Sequence, residues 1–367
     1  MNQIVIDARE LRTTTGRYVE RLLHYLQEVD TDMSHRYVVL LKPKDMEGWN
    51  PSSKRFTKVA CKYKEFSFAE QTGLLWKLIR LHPDLVHFPM VQQPILYPGR
   101  IVTTFQDLTT LRFANPTKNK YVFRFKQWVY RWVNVIASRK SKGIITPSEY
   151  VKDDVARTLS INSRRITVTY EAGDSIDAKP EPMEEFEGKE FIMYVGRPQP
   201  HKNLERLIEA FAVLKQTRPD LHLVLAGKKD TLYRRHERDT KRKGIPDVHF
   251  TDFVSDGELR WLYEHCAAYV FPSLSEGFGL PALEAMAHGA PVVSSNATCL
   301  PEIYGDAAHY FDPTEVEEMA KAIGDVLKKP ELRKKLIKAG KARVKTFSWR
   351  RMAEQTLDVY RQALGEK

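Results

Sequence analysis

The sequence predicts an α/β chain folded as two doubly wound parallel-sheet domains. Three observations predict it. Short β-branched runs alternate with helical stretches along the whole chain. The alternation restarts after a segment rich in Pro, Glu and Asp, residues 173–189. Each candidate ligand motif falls just after an expected strand, the edge where open parallel sheets bind ligands.

In chain order, strands are expected near 4–7, 37–41, 85–87, 101–104, 143–146 and 166–169, with helices over 17–29, 121–138 and 149–159. Residues 173–189 lack a period and read as the linker. The second domain opens with a strand at 191–195. It continues with helix 204–215, strands 221–226 and 248–250, helix 256–265 and strand 268–271. Next comes a helix with Pro281 in its first turn and Gly289 at its stop, then a strand at 291–294. The tail from Thr314 is helical, and Ser348 suits the N-cap of its last helix. The expected division is 1–173, 174–345, and a final helix over 346–367 that packs back on the first domain.

At 367 residues there is chain enough for two cores, and 42% apolar content is ordinary for a globular protein. No apolar run has the length of a membrane span, and the N-terminus enters a strand at once, unlike a signal peptide. Three scattered cysteines suggest a reducing compartment without a disulfide framework. No Cys/His cluster has zinc spacing, so no metal is expected. The net charge of +11 resides entirely on residues 1–175. That half is expected to face something acidic: anionic lipid, a phosphorylated acceptor or nucleic acid.

Residues 273–291 carry the sharpest signal. A strand runs into Glu276-Gly277-Phe278-Gly279-Leu280, the loop opens a helix at Pro281, and Glu284 follows eight residues after Glu276. Backbone N–H groups at such a helix start suit a phosphate. Carboxylates repel phosphate, so Glu276 and Glu284 should meet hydroxyls, and phosphate beside hydroxyls describes a nucleotide-sugar. The bland alternative is a capped helix with solvated charges. After strand 191–195, Arg197 and Lys202 straddle a strand-to-helix turn and could neutralise a diphosphate, with Asn203 capping the next helix.

Weaker signals lie in the first half. Gly16, opening a helix, lets backbone approach a phosphate, although an ordinary turn explains it equally well. Gln106 and Asp107 follow strand 101–104 and could touch sugar hydroxyls, or Asp107 could cap a turn. Asp30-Thr31-Asp32 has a metal-dependent look but reads as a solvated turn. Residues 118–142 interleave aromatics with Lys and Arg, which suits a membrane surface or a sheet-packing helix.

These motifs resemble the retaining glycosyltransferases of family 4, which have the GT-B fold, two Rossmann-like domains facing across a cleft. The family's Glu-x7-Glu motif stands at Glu276 and Glu284. Gly196-Arg197-x3-His201-Lys202-Asn203 is similar to its phosphate-binding turn. The stretch 251–259 resembles its base-binding loop, and 168–173 its hinge entry. The resemblance implies that Glu276 contacts the donor sugar and Glu284 the ribose. It gives Arg197 and Lys202 the diphosphate, and it brings the backbone of Phe278, Gly279 and Leu280 to sugar and phosphate. Gly277 belongs to the same loop, while Phe253 and Val254 would hold the base. No metal or cofactor is implied. The family usually has His where Gln106 stands and a second glycine where Thr14 stands. Asp7-Ala8-Arg9 with Gly16-Arg17-Tyr18 is similar to mannosyltransferase-like members.

The expected activity is metal-independent, retaining transfer of a hexose, mannose from GDP-mannose by preference, to a hydroxyl of a glycan or lipid-linked saccharide. A UDP-sugar donor is the near alternative. The expected location is cytoplasmic, with peripheral contact between the basic first domain and an anionic inner membrane face, and without nucleic acid. A non-catalytic nucleic-acid binder would show steep salt dependence. A nucleotide-sugar epimerase would isomerise the donor with no acceptor present.

Overall fold

A computed structural model of the chain describes residues 1–12, 16–113 and 120–366, with backbone alone for 120–123 and 125. Thr14 and the side chains of Tyr121, Phe123 and Phe125 thus lie outside the described residues. Two compact units emerge. The first joins residues up to Arg112, those from 120 to Glu171, and Ser348 onward; the second holds Ala172–Phe347.

The first unit carries strands β1 (Asn2–Asp7), β2 (His35–Leu41), β3 (Phe56–Ala60), β4 (Leu85–Phe88), β5 (Ile101–Thr104), β6 (Gly143–Thr146) and β7 (Ile166–Val168). They form one sheet in the order β3-β2-β1-β4-β5-β6-β7, and all pairs are parallel. The second carries β8 (Phe191–Val195), β9 (His222–Ala226), β10 (Val248–Phe250), β11 (Ala268–Phe271), β12 (Val292–Ser295) and β13 (Ala308–Phe311). Their order is β10-β9-β8-β11-β12-β13, again parallel throughout. Both sheets are doubly wound, and the strand order reverses beside β1 and beside β8.

Parallel strands are covered on both faces, so their inner members are continuous apolar runs. Ile4, Val5 and Ile6 on β1 and Ile192, Met193 and Tyr194 on β8 are all fully buried. Helix Leu204–Lys215 shows the matching helical pattern: Leu204, Leu207, Ile208, Phe211 and Leu214 are buried at spacings of three and four. The last helix, Trp349–Leu364, is capped by the Ser348 side chain and packs against helix Gly16–Val29 of the first unit.

Three departures from the sequence reading have physical causes. Strands β3 and β13 were not expected; β3 is a half-exposed edge carrying Lys58, with no apolar run to reveal it. Helix Thr231–Arg242 is so polar that it shows no apolar stripe by which sequence would reveal it. Residues 173–189 are no loose linker. Arg260 donates to the carbonyls of Ile176 and Ala178, and Ile176 N donates to His288, so the segment is laid along the second unit.

Asp30 also departs from the solvated turn expected of it. It is fully buried, receiving Arg55 Nη1 at 2.9 Å and the Tyr37 hydroxyl at 2.8 Å. Distant residues on β2 and beside β3 close over it, which a two-residue pattern cannot reveal.

Candidate active site

The sequence signals converge where β8 and β11 lie side by side. Two loops leave these strands, Gly196 to Asn203 and Pro272 to Gly279, and hydrogen bonds lace them together. Leu274 N donates to His201 O at 2.7 Å. Asn203, 5% exposed, donates from Nδ2 to Pro272 O at 3.1 Å and to Pro313 O at 2.7 Å. Asn203 was expected to cap the helix that follows it. It occupies the cap position in a left-handed conformation, φ 61°, but its side chain makes no cap bond. Its amide is spent instead on two carbonyls that would otherwise be buried without donors.

Across this seam Lys202 Nζ meets Glu276 Oε1 at 2.6 Å, with both side chains largely buried. Residues 74 apart thus form one ion pair at the sheet's reversal point. Glu276 is fixed from behind. Its N–H donates to Thr298 Oγ1 at 3.1 Å, and its carbonyl receives the Cys299 thiol at 3.3 Å. Arg197 is exposed, and among the described residues its guanidinium makes no hydrogen bond or ion pair. Burial, helped by Lys202, pushes the His201 imidazole down to about 4, so the turn carries two cations and a neutral ring at neutral pH.

Gly279 makes the turn into helix Leu280–Ala287. Its φ is +95°, and a Cβ there would come 2.1 Å from the Tyr304 hydroxyl. That hydroxyl donates to Gly279 O at 2.7 Å. Only glycine fits both the dihedral and the approach. Phe278 is 4% exposed and sets its ring against Phe347. Glu284 sits in the helix with 6% exposure. Beneath the loops Tyr194, Tyr269 and Tyr304 are fully buried, and burial raises all three phenols far above their ordinary value. Ionic contacts above such a floor are weakly screened.

Beyond β9 and β10, Gly196 N donates to Ala226 O and Gly227 N to Asp252 O. Phe253 follows on that loop with 81% exposure, and Val254 is half-buried.

The first unit holds the remaining predicted residues. Gly16 is buried at the start of helix Gly16–Val29, and a Cβ there would lie 2.0 Å from Leu11 O. Gln106 is half-buried, and its Nε2 is enclosed without a hydrogen-bond partner among the described residues. Asp107 Oδ1 accepts Thr109 N at 2.7 Å, so this carboxylate caps the turn that follows it.

Sequence reasoning missed several groups. Tyr304, Thr298 and Cys299 brace the Glu276–Gly279 loop from later elements, and nothing near Glu276 in the chain signals them. In the first unit, the Asp7-Ala8-Arg9 motif gives no sign of the partners that fix its arginine: Arg9 (2% exposed) bonds Asp7 through both Nε and Nη2, and also Glu70 Oε1 at 2.7 Å and Tyr63 O at 2.9 Å. Glu171 is 4% exposed, and burial pushes its carboxyl up to about 8 while Arg17 pulls the other way.

Two doubly wound parallel sheets, one in each unit, fit the GT-B class. Comparison with known proteins agrees. The family descriptions "Glycosyl transferases group 1" and "Glycosyltransferase Family 4" match residues 175–343 and 15–174. The chain is 30% identical to O-antigen chain mannosyltransferase B of Escherichia coli, over 71% of this chain and 70% of that one. It is 29% identical to O-antigen chain mannosyltransferase RfbU of Salmonella typhimurium, over 58% of each. Sucrose-phosphate synthase from Thermosynechococcus elongatus shares its fold with a TM-score of 0.78, at 18% identity and 99% coverage of both chains. The chain belongs to glycosyltransferase family 4 and is a glycosyltransferase.

Proposed function

We propose that this enzyme moves a hexose, mannose from GDP-mannose by preference, with retention, to a hydroxyl of a glycan or lipid-linked saccharide. The observation that carries the reading is the Lys202–Glu276 pair at 2.6 Å between the two laced loops. It sets a cation for the diphosphate and a carboxylate for the sugar at one point. Arg197, lacking a partner among the described residues, supplies a forked second contact to phosphate oxygens. Together the cations take the charge that develops as the glycosidic bond breaks, and no metal is needed at these loops. Glu276 accepts hydrogen bonds from sugar hydroxyls, Glu284 serves the ribose, and exposed Phe253 with Val254 takes the base. A donor phosphate oxygen receives the acceptor's proton on the face from which the nucleotide leaves. Gln106, whose Nε2 has no hydrogen-bond partner among the described residues, offers a hydrogen bond to a donor or acceptor hydroxyl. The mannosyltransferase names of the relatives support mannose.

A thermal-shift panel of GDP, UDP and their sugars tests this, because a ligand of the folded chain raises Tm in proportion to ln(1 + [L]/Kd). GDP-mannose is expected to give the largest shift. A larger shift with a UDP-sugar moves the reading to that donor, and no shift with any nucleotide overturns it.

We also propose that the first unit touches an anionic membrane face peripherally. No helix among the described residues is long and apolar enough to cross a bilayer. Phe66, Phe68, Trp76, Trp128 and Trp132 are each more than half exposed, and Lys77 and Arg80 share a surface pocket with Trp76. Aromatic bodies beside cations suit the headgroup region, and the excess positive charge lies on this half of the chain. Cosedimentation with phosphatidylglycerol vesicles but not phosphatidylcholine vesicles is the expected result. Equal recovery with both would remove the electrostatic basis.

A further inference from the structure

The sequence shows no metal-ligand spacing, yet folding gathers three donor atoms on the edge of the second sheet. His222 begins β9, His249 is the middle residue of β10, and Asp247 immediately precedes β10. Parallel register sets His249 beside Val224. Alternation then puts His222 and His249 on the same face, one step apart along the strands. His222 Nδ1 lies 3.0 Å from His249 Nε2 and 3.7 Å from Asp247 Oδ1, and all three donor atoms fall within 4.8 Å of one another. Ligands bonded to a tetrahedral zinc at about 2.0–2.1 Å stand roughly 3.4 Å apart, between those two separations.

The surroundings are those of a ligand set. His249 Nδ1 is bonded to Glu185 Oε1 at 2.8 Å. A carboxylate there holds the ring proton on Nδ1 and leaves the Nε2 lone pair facing inward. Lys215 Nζ holds Asp247 Oδ2 at 2.5 Å, which leaves Oδ1 on the His222 side. All three residues are partly exposed, so solvent reaches their neighbourhood. The other such grouping among the described residues, Asp30, Asp32 and His35, is weaker, because Arg55 and Tyr37 already occupy Asp30.

We propose that His222, Asp247 and His249 form a binding site for a borderline divalent metal, zinc by preference, with water as its fourth ligand. Two imidazoles and one carboxylate match the donors zinc favours. The site lies at the strand starts, whereas the donor loops leave the strand ends, so it takes no part in transfer. Its effect is to clip the three-residue edge strand β10 to β9. The chain leaving β10 leads within three residues to exposed Phe253, so metal occupancy steadies the root of that loop.

The test uses the untagged full chain after chelator treatment, with zinc titrated against a chromophoric chelator and cobalt added as a spectroscopic probe. One equivalent of zinc, intense visible cobalt bands, and a Tm raised by zinc are expected. His222→Ala and His249→Ala should each abolish the cobalt bands. Glu185→Gln, which touches no metal, should weaken zinc by about 10–100-fold. These positions are partly exposed, and a chelated-state Tm like that of the wild type shows that each variant folds. Failure of the wild type to take up zinc overturns the proposal and leaves an imidazole–imidazole hydrogen bond. Undiminished uptake by the His222→Ala/His249→Ala double variant overturns it as well.

Discussion

The two units place an arginine on the loop that leaves the same topological strand, and the two arginines meet opposite fates. Strand β1 holds in the first sheet the position that β8 holds in the second, beside the reversal of strand order. Arg9, after β1, is 2% exposed and held by Asp7, Glu70 and a carbonyl. Burial works against its charge, but the two carboxylates outweigh burial and raise its pKa. Arg197, after β8, is exposed and, among the described residues, has no partner. A buried cation already paired with two carboxylates has little left to offer a ligand, whereas an exposed one gains most when a phosphate arrives. Residue type and fold position are shared, so only partners and burial distinguish the two arginines.

Substitution at these two sites should break the symmetry most visibly. Arg9→Ala leaves two carboxylates buried without their cation, a change that typically costs about 3–5 kcal/mol. It is expected to lower the denaturation midpoint sharply. Arg197→Ala should leave that midpoint unchanged while turnover falls about 10²–10³-fold. A destabilised Arg197 variant with full activity would reverse the assignment.

The Lys202–Glu276 pair sharpens the same contrast within the second unit. Either single alanine variant should lose about 10²–10³ in rate, and Glu276→Ala should still bind nucleotide. Because each removes the other's partner, the double variant should lose much less than the product of the two. Strict additivity in the kinetic cycle would mean that the two side chains act separately.

Glu171 gives a smaller, pH-dependent effect. Between the ordinary carboxylate pKa and about 8, the folded chain keeps a proton that the unfolded chain has released. Stability from this group therefore falls as pH rises through that window. Glu171→Gln removes the titration and should flatten the decline in Tm between about pH 5 and 8, each kcal/mol recovered being worth about 2–4 °C. An unaltered slope would place the titration elsewhere. The smallest effect expected is that of Tyr304→Phe. It deletes the bond to Gly279 O and should cost about 0.5–1.5 kcal/mol in urea unfolding.

Periodicity made the inner strands legible, because strands covered on both faces must be apolar throughout. The same logic hid β3, whose exposed edge needs no such run. Glu276, Lys202 and Gly279 could be picked out since each lies beside a strand end or a helix start, features that local sequence writes plainly. Tyr304 and Thr298 could not, because they act on that loop from elements more than twenty residues on. Asp107 carried two readings in sequence, and the structure gives its carboxylate the capping role.

The sequence by itself determined the two α/β sheets, the loop motifs at their strand ends and the concentration of positive charge in the first half. Only tertiary structure decided which of those charges are spent inside the protein. It buried Arg9 and Asp30, paired Lys202 with Glu276, and brought together His222 on β9 with Asp247 and His249 at the start of β10. The physical reason is range. Propensity and periodicity act over one turn or one strand, whereas desolvation and ion pairing depend on what distant segments bring within about 4 Å.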